Sequence, residues 1–233
     1  MKIVDINSIP RRVVPKGLNS DPKKAIAPIQ PRKRIFYVIG FLAISHLMAA
    51  SIWYTYQEKQ ELAAQKEIFE ATYHFESSDF DKALEGDGTH KGFLAIIKQY
   101  PYTKTANLAC FYVGSSYMHQ KEYDKAIAFL KKVHFGDFIL QARAWCIMGD
   151  AYSEQQDHKQ AAVFYIKAAH YKENSIYTPG YLVKAAIAFE AHNRYEDAYD
   201  CYQEIVKKYP KSQYGSDLAI KEANRLSALL LMD

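Results

Sequence analysis

One pattern of small and aromatic residues occurs three times in this chain, and it restricts the fold more than any other feature. In WCIMGDAYSEQQDHKQAAVFYIKAA, residues 145–169, the pattern consists of Trp145, Gly149, Tyr152 and Ala161. The matching positions of the other copies are Cys110, Gly114, Tyr117 and Ala126, and then Leu182, Ala186, Phe189 and Ala198. A small residue in the first helix lets a second helix approach closely, and the aromatic residue fills the space between them. Each copy therefore predicts a pair of packed helices.

The spacing of the copies indicates how the pairs are arranged. A degenerate copy at residues 67–84 precedes the three, and the marker alanines of all four stand at positions 83, 126, 161 and 198. The last two intervals are close to the period of about 34 residues that is typical of the tetratricopeptide repeat. The longer first interval contains an insertion near EGDGTH, residues 85–90, after which GFLAIIKQYP, residues 92–101, resumes the second helix.

Each such pair leaves an apolar face uncovered, so neighbouring pairs must stack. The sequence predicts an all-α fold, a tetratricopeptide-repeat superhelix of three to four helix pairs with a C-terminal capping helix at residues 216–233. The apolar residues of that last helix are Leu218, Leu226, Leu229 and Leu230.

A second feature is an apolar stretch that lies before the repeats. Residues 35–54 contain no Asp, Glu, Lys or Arg, and as a helix they would span about 30 Å, the thickness of a hydrocarbon core. Arg32, Lys33 and Arg34 precede the stretch, while aromatic residues such as Trp53 and Tyr54 mark its end. This pattern predicts a membrane anchor at residues 35–56 with a cytoplasmic N-terminus. A cleaved signal peptide, with AAS at 49–51 as its site, is an alternative, as is a buried core helix, although the stretch shows no polar face. His46, near its middle, is either functional or merely tolerated.

The charge distribution divides the chain further. Residues 1–34 hold nine Lys or Arg against two acidic residues, whereas the remaining residues hold 21 basic and 24 acidic ones. Because prolines interrupt every candidate helix in residues 1–34, we expect a flexible cytoplasmic tail there, attracted to anionic lipids or serving only to set topology. Residues 57–233 then form the repeat domain. That domain has no basic stripe, so we expect no nucleic-acid partner.

Motifs that would indicate catalysis or metal binding do not occur in the sequence. The eight histidines are scattered, and Cys110, Cys146 and Cys201 form no C-x-x-C pair, so buried apolar cysteines are expected rather than redox ones. GDGTHKG, residues 86–92, lacks the ending of a phosphate-binding loop and favours an Asp-Gly turn. DFDKALEGDGTH, residues 79–90, has Ala83 and Leu84 where a calcium loop needs oxygen ligands. We expect neither an enzyme nor a cofactor or metal site.

A partner groove is the remaining candidate site. The first helices of stacked pairs line a concave surface that binds extended peptides or helices. The repeat alignment predicts the following lining residues: Phe111, Ser115, Met118, Cys146, Asp150, Val183, Ile187 and Glu190. Repeat domains that grip a terminal carboxylate use Lys and Asn at places that here hold other residues, so the prediction is an apolar groove with acidic spots for an unfolded, hydrophobic or basic segment. The alternative is that several of these side chains belong to the core.

A basic tail, one membrane helix and a repeat domain together resemble the YfgM-like family of ancillary Sec-translocon subunits, and residues 83–132 resemble Bacteroidetes members of that group. The resemblance implies an adaptor in the bacterial inner membrane, with a periplasmic repeat domain that hands secreted chains between the translocon and chaperones. The inserted loop and the long proline-rich tail depart from the family pattern.

Two other roles stay open. One is a structural scaffold in envelope assembly or cell division that self-associates through ALLLMD, residues 228–233. The other is a secreted repeat protein whose N-terminus is removed.

Overall fold

The computed structural model describes residues 31–215 and 217–232, and that part of the chain contains ten α-helices and no β-strand. The predicted tail lies outside the described residues as far as residue 30. In chain order the helices are α1 Pro31–Glu76, α2 Phe80–Glu85, α3 Phe93–Gln99, α4 Lys104–His119, α5 Tyr123–Leu130, α6 Phe138–Glu154, α7 His158–Ala169, α8 Thr178–Ala191, α9 Tyr195–Lys208 and α10 Leu218–Leu230. The chain divides into two units, Met1–Ile52 and Trp53–Asp233.

The described part of the first unit is the beginning of α1, and its apolar side chains are exposed. Phe36, Phe41 and Leu47 each expose more than 70% of their surface. The helix is long and apolar enough to cross a membrane over Phe36–Glu76, as the sequence predicts. The polar side chains of Ser45 and His46 both contact the backbone carbonyl of Leu42, at 2.8 Å each. Their polar groups are therefore partnered within the helix itself.

The second unit is a row of helix pairs. The end of α1 shares a buried cluster with α2 and α3. It is followed by the pairs α4 with α5, α6 with α7, and α8 with α9, while α10 packs on α9. Three clusters of buried side chains follow one another along the row, centred on residues such as Phe93, Leu130 and Leu182. This is the stacked, all-helical arrangement that the repeat spacing predicts.

The small residues at the repeat centres act as the sequence predicts. A Cβ atom at Gly114 would lie 2.5 Å from Cγ of Leu130, and one at Gly149 would lie 2.6 Å from Cε1 of Tyr165. Ordinary carbon contacts are about 3.5–4.0 Å. The two helices of each of these pairs are therefore closer together than a side chain at either glycine would permit.

The turn between the helices of a pair has the same backbone in all four copies. A residue other than glycine adopts the left-handed conformation five positions before each marker alanine. These residues are Ser78, Lys121, Gln156 and Asn193, with φ between 58° and 63°. Such a conformation is uncommon for side-chain-bearing residues. The structure thus reveals a repeat marker that the sequence pattern does not contain.

The insertion in the first copy forms a tight turn between α2 and α3. Gly86 and Gly88 have positive φ, and a single antiparallel bridge joins Gly86 to Lys91. The backbone N–H groups of Thr89 and His90 donate to Oδ1 of Asp87 at 2.8 and 2.6 Å. These hydrogen bonds, those from His90 above all, hold the pKa of Asp87 well below its usual range. The predicted Asp-Gly turn is confirmed.

Candidate peptide groove

Two adjoining cavities lie along the first helices of the pairs, and together we call them the groove. The first has a volume of about 460 Å³ and the second about 470 Å³. Arg143, Ile147 and Asp150 of α6 line both cavities. The first is otherwise lined by Phe75, Phe111, Tyr112, Ser115, Met118, His119 and Leu140. The second is otherwise lined by Cys146, Ile176, Tyr177, Gly180, Tyr181, Lys184, Gln213 and Tyr214.

Helical spacing explains why α6 supplies the centre of the groove. Leu140, Arg143, Ile147 and Asp150 follow one another at intervals of three or four residues. Such residues lie on the same face of a helix. Its opposite side carries the small residue Gly149, against which α7 packs. The close pairing of α6 with α7 therefore leaves one whole face of α6 for the groove.

The structure brings five of the predicted residues to the groove. Phe111, Ser115 and Met118 line the first cavity, Cys146 lines the second, and Asp150 lines both. Phe111 and Cys146 are nevertheless only 7% exposed each, so most of their surface belongs to the core.

The three residues that the alignment assigned to α8 lie elsewhere. Val183 is half-buried against the core cluster of the later repeats. Ile187 is 58% exposed and lines neither cavity. Glu190 forms an ion pair with Arg225 of α10. In place of these residues, α8 presents Gly180, Tyr181 and Lys184 to the second cavity.

In α8 the groove face lies one residue further along the helix than the alignment predicts at Val183, whereas in α4 and α6 the predicted residues Phe111 and Cys146 line the groove together with the residues that follow them. Tyr112, Ile147 and Lys184 occupy equivalent places in the three copies, and all three line the groove. One residue in an α-helix corresponds to a rotation of about 100°. The signal that could have identified this face is the change of residue type at that place, because core positions stay apolar whereas Lys184 does not.

Asp150 is the electrostatic centre of the second cavity, and it is already paired. Its Oδ1 accepts hydrogen bonds from Nζ of Lys184 at 2.6 Å and from the hydroxyl of Tyr165 at 2.7 Å. Burial alone would lower the pKa of Lys184. The adjacent Cys146 and the hydrogen bond to Asp150 outweigh burial and raise that pKa. Burial, together with the adjacent Asp150, raises the pKa of Tyr165. Asp150 is thus a partnered carboxylate that joins α6, α7 and α8.

Cys146 lies beside this network. Burial raises the pKa of its thiol to about 12, so it stays protonated at neutral pH. A protonated, buried thiol is a poor nucleophile and a poor metal ligand. The side chain therefore contributes shape to the groove wall.

The polar groups of Ser115 and Arg143 in the groove have no partner within the described residues. The buried hydroxyl of Ser115 makes no hydrogen bond there, although its residue is only 7% exposed. The exposed guanidinium of Arg143 makes no ion pair with another described residue, although it lines both cavities. A buried polar group without a partner costs free energy, so the Ser115 hydroxyl is a position at which a ligand would be stabilising.

A cluster of potential metal ligands occurs outside the groove. One ligand atom each from His170, Glu173 and Glu204 lies within 4.8 Å of the others. Nζ of Lys208 is 3.3 Å from Glu173 and 2.9 Å from Glu204. The two carboxylates are therefore already charge-paired with an ammonium group, and they serve to join α9 to the α7–α8 connection.

Comparison with known proteins agrees with this geometry. Residues 181–212, which span most of α8 and all of α9, match the family described as tetratricopeptide repeat. This is a tetratricopeptide-repeat fold. The match, the helix pairs and the apolar N-terminal helix together confirm the fold class that the sequence predicts. No curated protein matches the chain. Tetratricopeptide-repeat domains are interaction modules, so a role in protein–protein interaction follows from the fold.

Proposed function

We propose that the chain is a membrane-anchored, non-enzymatic adaptor whose groove binds extended segments of other proteins. Residues 35–56 form the anchor in the bacterial inner membrane, residues 1–34 lie in the cytoplasm, and the repeat domain from residue 57 lies in the periplasm. The partners are Sec-translocon subunits, periplasmic chaperones or nascent secreted chains. The resemblance to ancillary translocon subunits supports this location, and the tetratricopeptide repeat supports the interaction role.

The observation that carries the proposal is the unpartnered Ser115 hydroxyl in an apolar cavity. Phe75, Phe111 and Met118 are among the residues that line this cavity. An extended segment can place an apolar side chain in this cavity and pair its own backbone with the hydroxyl, which has no partner among the described residues.

Charge determines which segments suit the groove. The sequence suggests acidic spots for a basic segment, but Asp150 is paired with Lys184 and Glu190 is paired with Arg225. Among the described residues that line the groove, the charge left without a partner is the positive one of Arg143. We therefore propose a segment in which an apolar side chain is followed by a carboxylate.

In-cell photocrosslinking tests the adaptor role. A photoreactive residue at Met118, which is half-buried in the first cavity, is introduced into the full chain in its membrane, and the adducts are identified by mass spectrometry. Val163 on α7 serves as the matched control, since it is 52% exposed but lines neither cavity. Translocon subunits, chaperones or secreted chains captured from 118 and not from 163 support the adaptor. Adducts only with itself or with division and cell-wall proteins overturn it.

Two neighbouring serines separate binding from stability. Because the Ser115 hydroxyl has no partner, Ser115→Ala should raise stability by about 1 kcal/mol and lower adduct yield about fivefold. Ser116 Oγ donates to the carbonyl of Tyr112 at 2.8 Å, so Ser116→Ala should lower stability and leave adduct yield unchanged. Equal adduct yields in the two variants would show that the groove does not use the hydroxyl.

A scaffold that self-associates is the second candidate, and one observation favours it. Leu231 and Met232 are each 85% exposed at the end of α10, and Ile220 of the same helix is 43% exposed. Exposed apolar residues at the end of a repeat array are suited to pairing with a second copy. The mass of the detergent-solubilised chain tests this role: a dimer that Leu231→Asp converts to a monomer supports the scaffold, and a monomeric native chain excludes self-association as its basis.

A further inference from the structure

Exposed aromatic side chains cluster at the beginning of the second unit. Trp53, Tyr54 and Tyr56 of α1 are each more than 50% exposed. Tyr102, in the connection between α3 and α4, is 77% exposed, and its ring centroid lies 6.2 Å from that of Trp53. Segments about 50 residues apart in sequence therefore present their aromatic rings at one place.

The connection is held beside α1 by hydrogen bonds. The carboxylate of Glu61 accepts from the backbone N–H of Thr105 at 3.2 Å and from its hydroxyl at 2.8 Å. Thr103 caps the start of α4 by accepting from the N–H of Ala106 at 3.0 Å. The residues that directly follow Tyr102 are thus held in place, which keeps Tyr102 next to Trp53.

This position determines the depth of Tyr102 in a bilayer. Trp53 follows directly after the apolar residues of the anchor in the chain, so its ring lies at the membrane–water interface when the anchor spans a membrane. Each interfacial layer is about 5–7 Å thick. A ring 6.2 Å from Trp53 lies in or directly at that layer, where the amphipathic ring of tyrosine is favoured.

A cavity of about 350 Å³ lies beside these rings, and its chemistry suits an anionic headgroup. The cavity is lined by Lys98 and by the amides of Gln57, Gln60 and Gln99. Its other lining residues are Trp53, Tyr56, Tyr100, Pro101, Tyr102 and Thr103. Lys98 is its one charged lining residue, is exposed, and makes no ion pair with another described residue. A neighbouring cavity of about 320 Å³, which also includes Tyr102, is lined by Glu58 and Glu61 as well as by Lys104, so its acidic residues outnumber its basic one and disfavour phosphate.

We propose that Trp53, Tyr56, Lys98 and Tyr102 bind the phosphate-bearing headgroup of an anionic phospholipid. This contact seats the α3–α4 connection on the membrane surface and fixes the first helix pair there. The inference rests on the membrane anchoring of the proposed function, but it does not depend on what the groove binds.

The test uses the full chain inserted in lipid nanodiscs, with cysteine introduced at Tyr102 and labelled with an environment-sensitive fluorophore. The three native cysteines are buried, so labelling of the unsubstituted chain gives the background. The matched control is Ile176→Cys, because Ile176 is 74% exposed and lies in the α7–α8 connection. Quenching by lipids brominated near the headgroup is compared between the two sites, in neutral and in anionic nanodiscs.

Three results support the proposal together. The label at 102 should be quenched several-fold more than the label at 176, quenching should increase with anionic lipid, and Lys98→Gln should abolish that increase. Inorganic phosphate added in solution should not compete, because the site takes the headgroup at the surface.

Each opposite result overturns part or all of the proposed headgroup contact. Equal quenching at 102 and 176 in an inserted chain refutes the surface contact. Quenching that Lys98→Gln does not alter refutes the phosphate site, and competition by free phosphate assigns the site to a soluble anion. Crosslinking from Met118 is a separate readout, so failure here leaves the adaptor role standing, and failure there leaves this contact standing.

Discussion

Replacing Gly149 with alanine tests the close helix approach at the centre of the repeat. A Cβ atom there would lie 2.6 Å from Cε1 and 2.7 Å from Cδ1 of Tyr165. The tyrosine ring cannot turn aside easily, because the residue is only 5% exposed and its hydroxyl donates to Asp150 at 2.7 Å. The added methyl group must therefore move a packed ring or separate α6 from α7.

Two opposing effects set the magnitude. Overpacking of a well-packed core costs about 1–3 kcal/mol, whereas exchanging glycine for alanine in a helix interior gains about 1 kcal/mol. The expected net effect is a loss of up to about 2 kcal/mol, which corresponds to a fall in melting temperature of up to about 8 °C for a domain of this size.

Thermal unfolding of the full chain in detergent, followed by circular dichroism, measures the loss. The same substitution is made in a Tyr165→Val background, in which the ring atoms that the methyl group meets are absent. There Gly149→Ala should stabilise by up to about 1 kcal/mol, because only the helix preference remains. A substitution that stabilises equally in both backgrounds would refute the close approach as the reason for glycine.

Three further predictions concern buried and charged groups. Cys146 and Cys201, whose pKa burial raises to about 12, should react with a maleimide at about pH 8 only after denaturation; rapid labelling of the folded chain would contradict this. Asp87→Ala should lower the melting temperature at neutral pH. Because hydrogen bonds in the fold depress the pKa of Asp87 below its usual value of 3.8, the difference in melting temperature from the native chain should shrink as the pH falls below 3.8. Thr178→Val should cost about 1–3 kcal/mol, measured by thermal unfolding, because the buried hydroxyl donates to Ala169 and accepts from the N–H of Asn174; Thr178→Ser keeps both bonds and should cost clearly less.

The sequence predicts the fold well because the packing of each pair depends on residues close together in the chain. Gly149 and Tyr165 are 16 residues apart, and their contact follows from one copy of the pattern. The Asp-Gly turn at residues 86–92 is predicted for the same reason, since its hydrogen bonds join near neighbours.

The groove could be predicted only in part, because its lining depends on contacts between copies. The alignment places equivalent residues correctly but cannot tell which of two adjacent residues faces the groove and which is covered by the next pair. It selects Val183 where Lys184 lines the cavity. The ion pair of Lys184 with Asp150 joins residues 34 positions apart, and no pattern within one copy contains it. Partnering of Asp150 changes the predicted ligand, because an acidic residue is available to a basic segment only when no neighbour has already neutralised it.

The left-handed turn residues show which feature the four helix pairs share most closely. Serine, lysine, glutamine and asparagine occupy that conformation in the four copies. These four side chains have no property in common that would require it. Four different residues in one uncommon conformation indicate that the close approach of the two helices, and not the side chain, requires this backbone path. The turn therefore marks the first pair as the same structural unit as the others, although its sequence departs furthest from the repeat pattern.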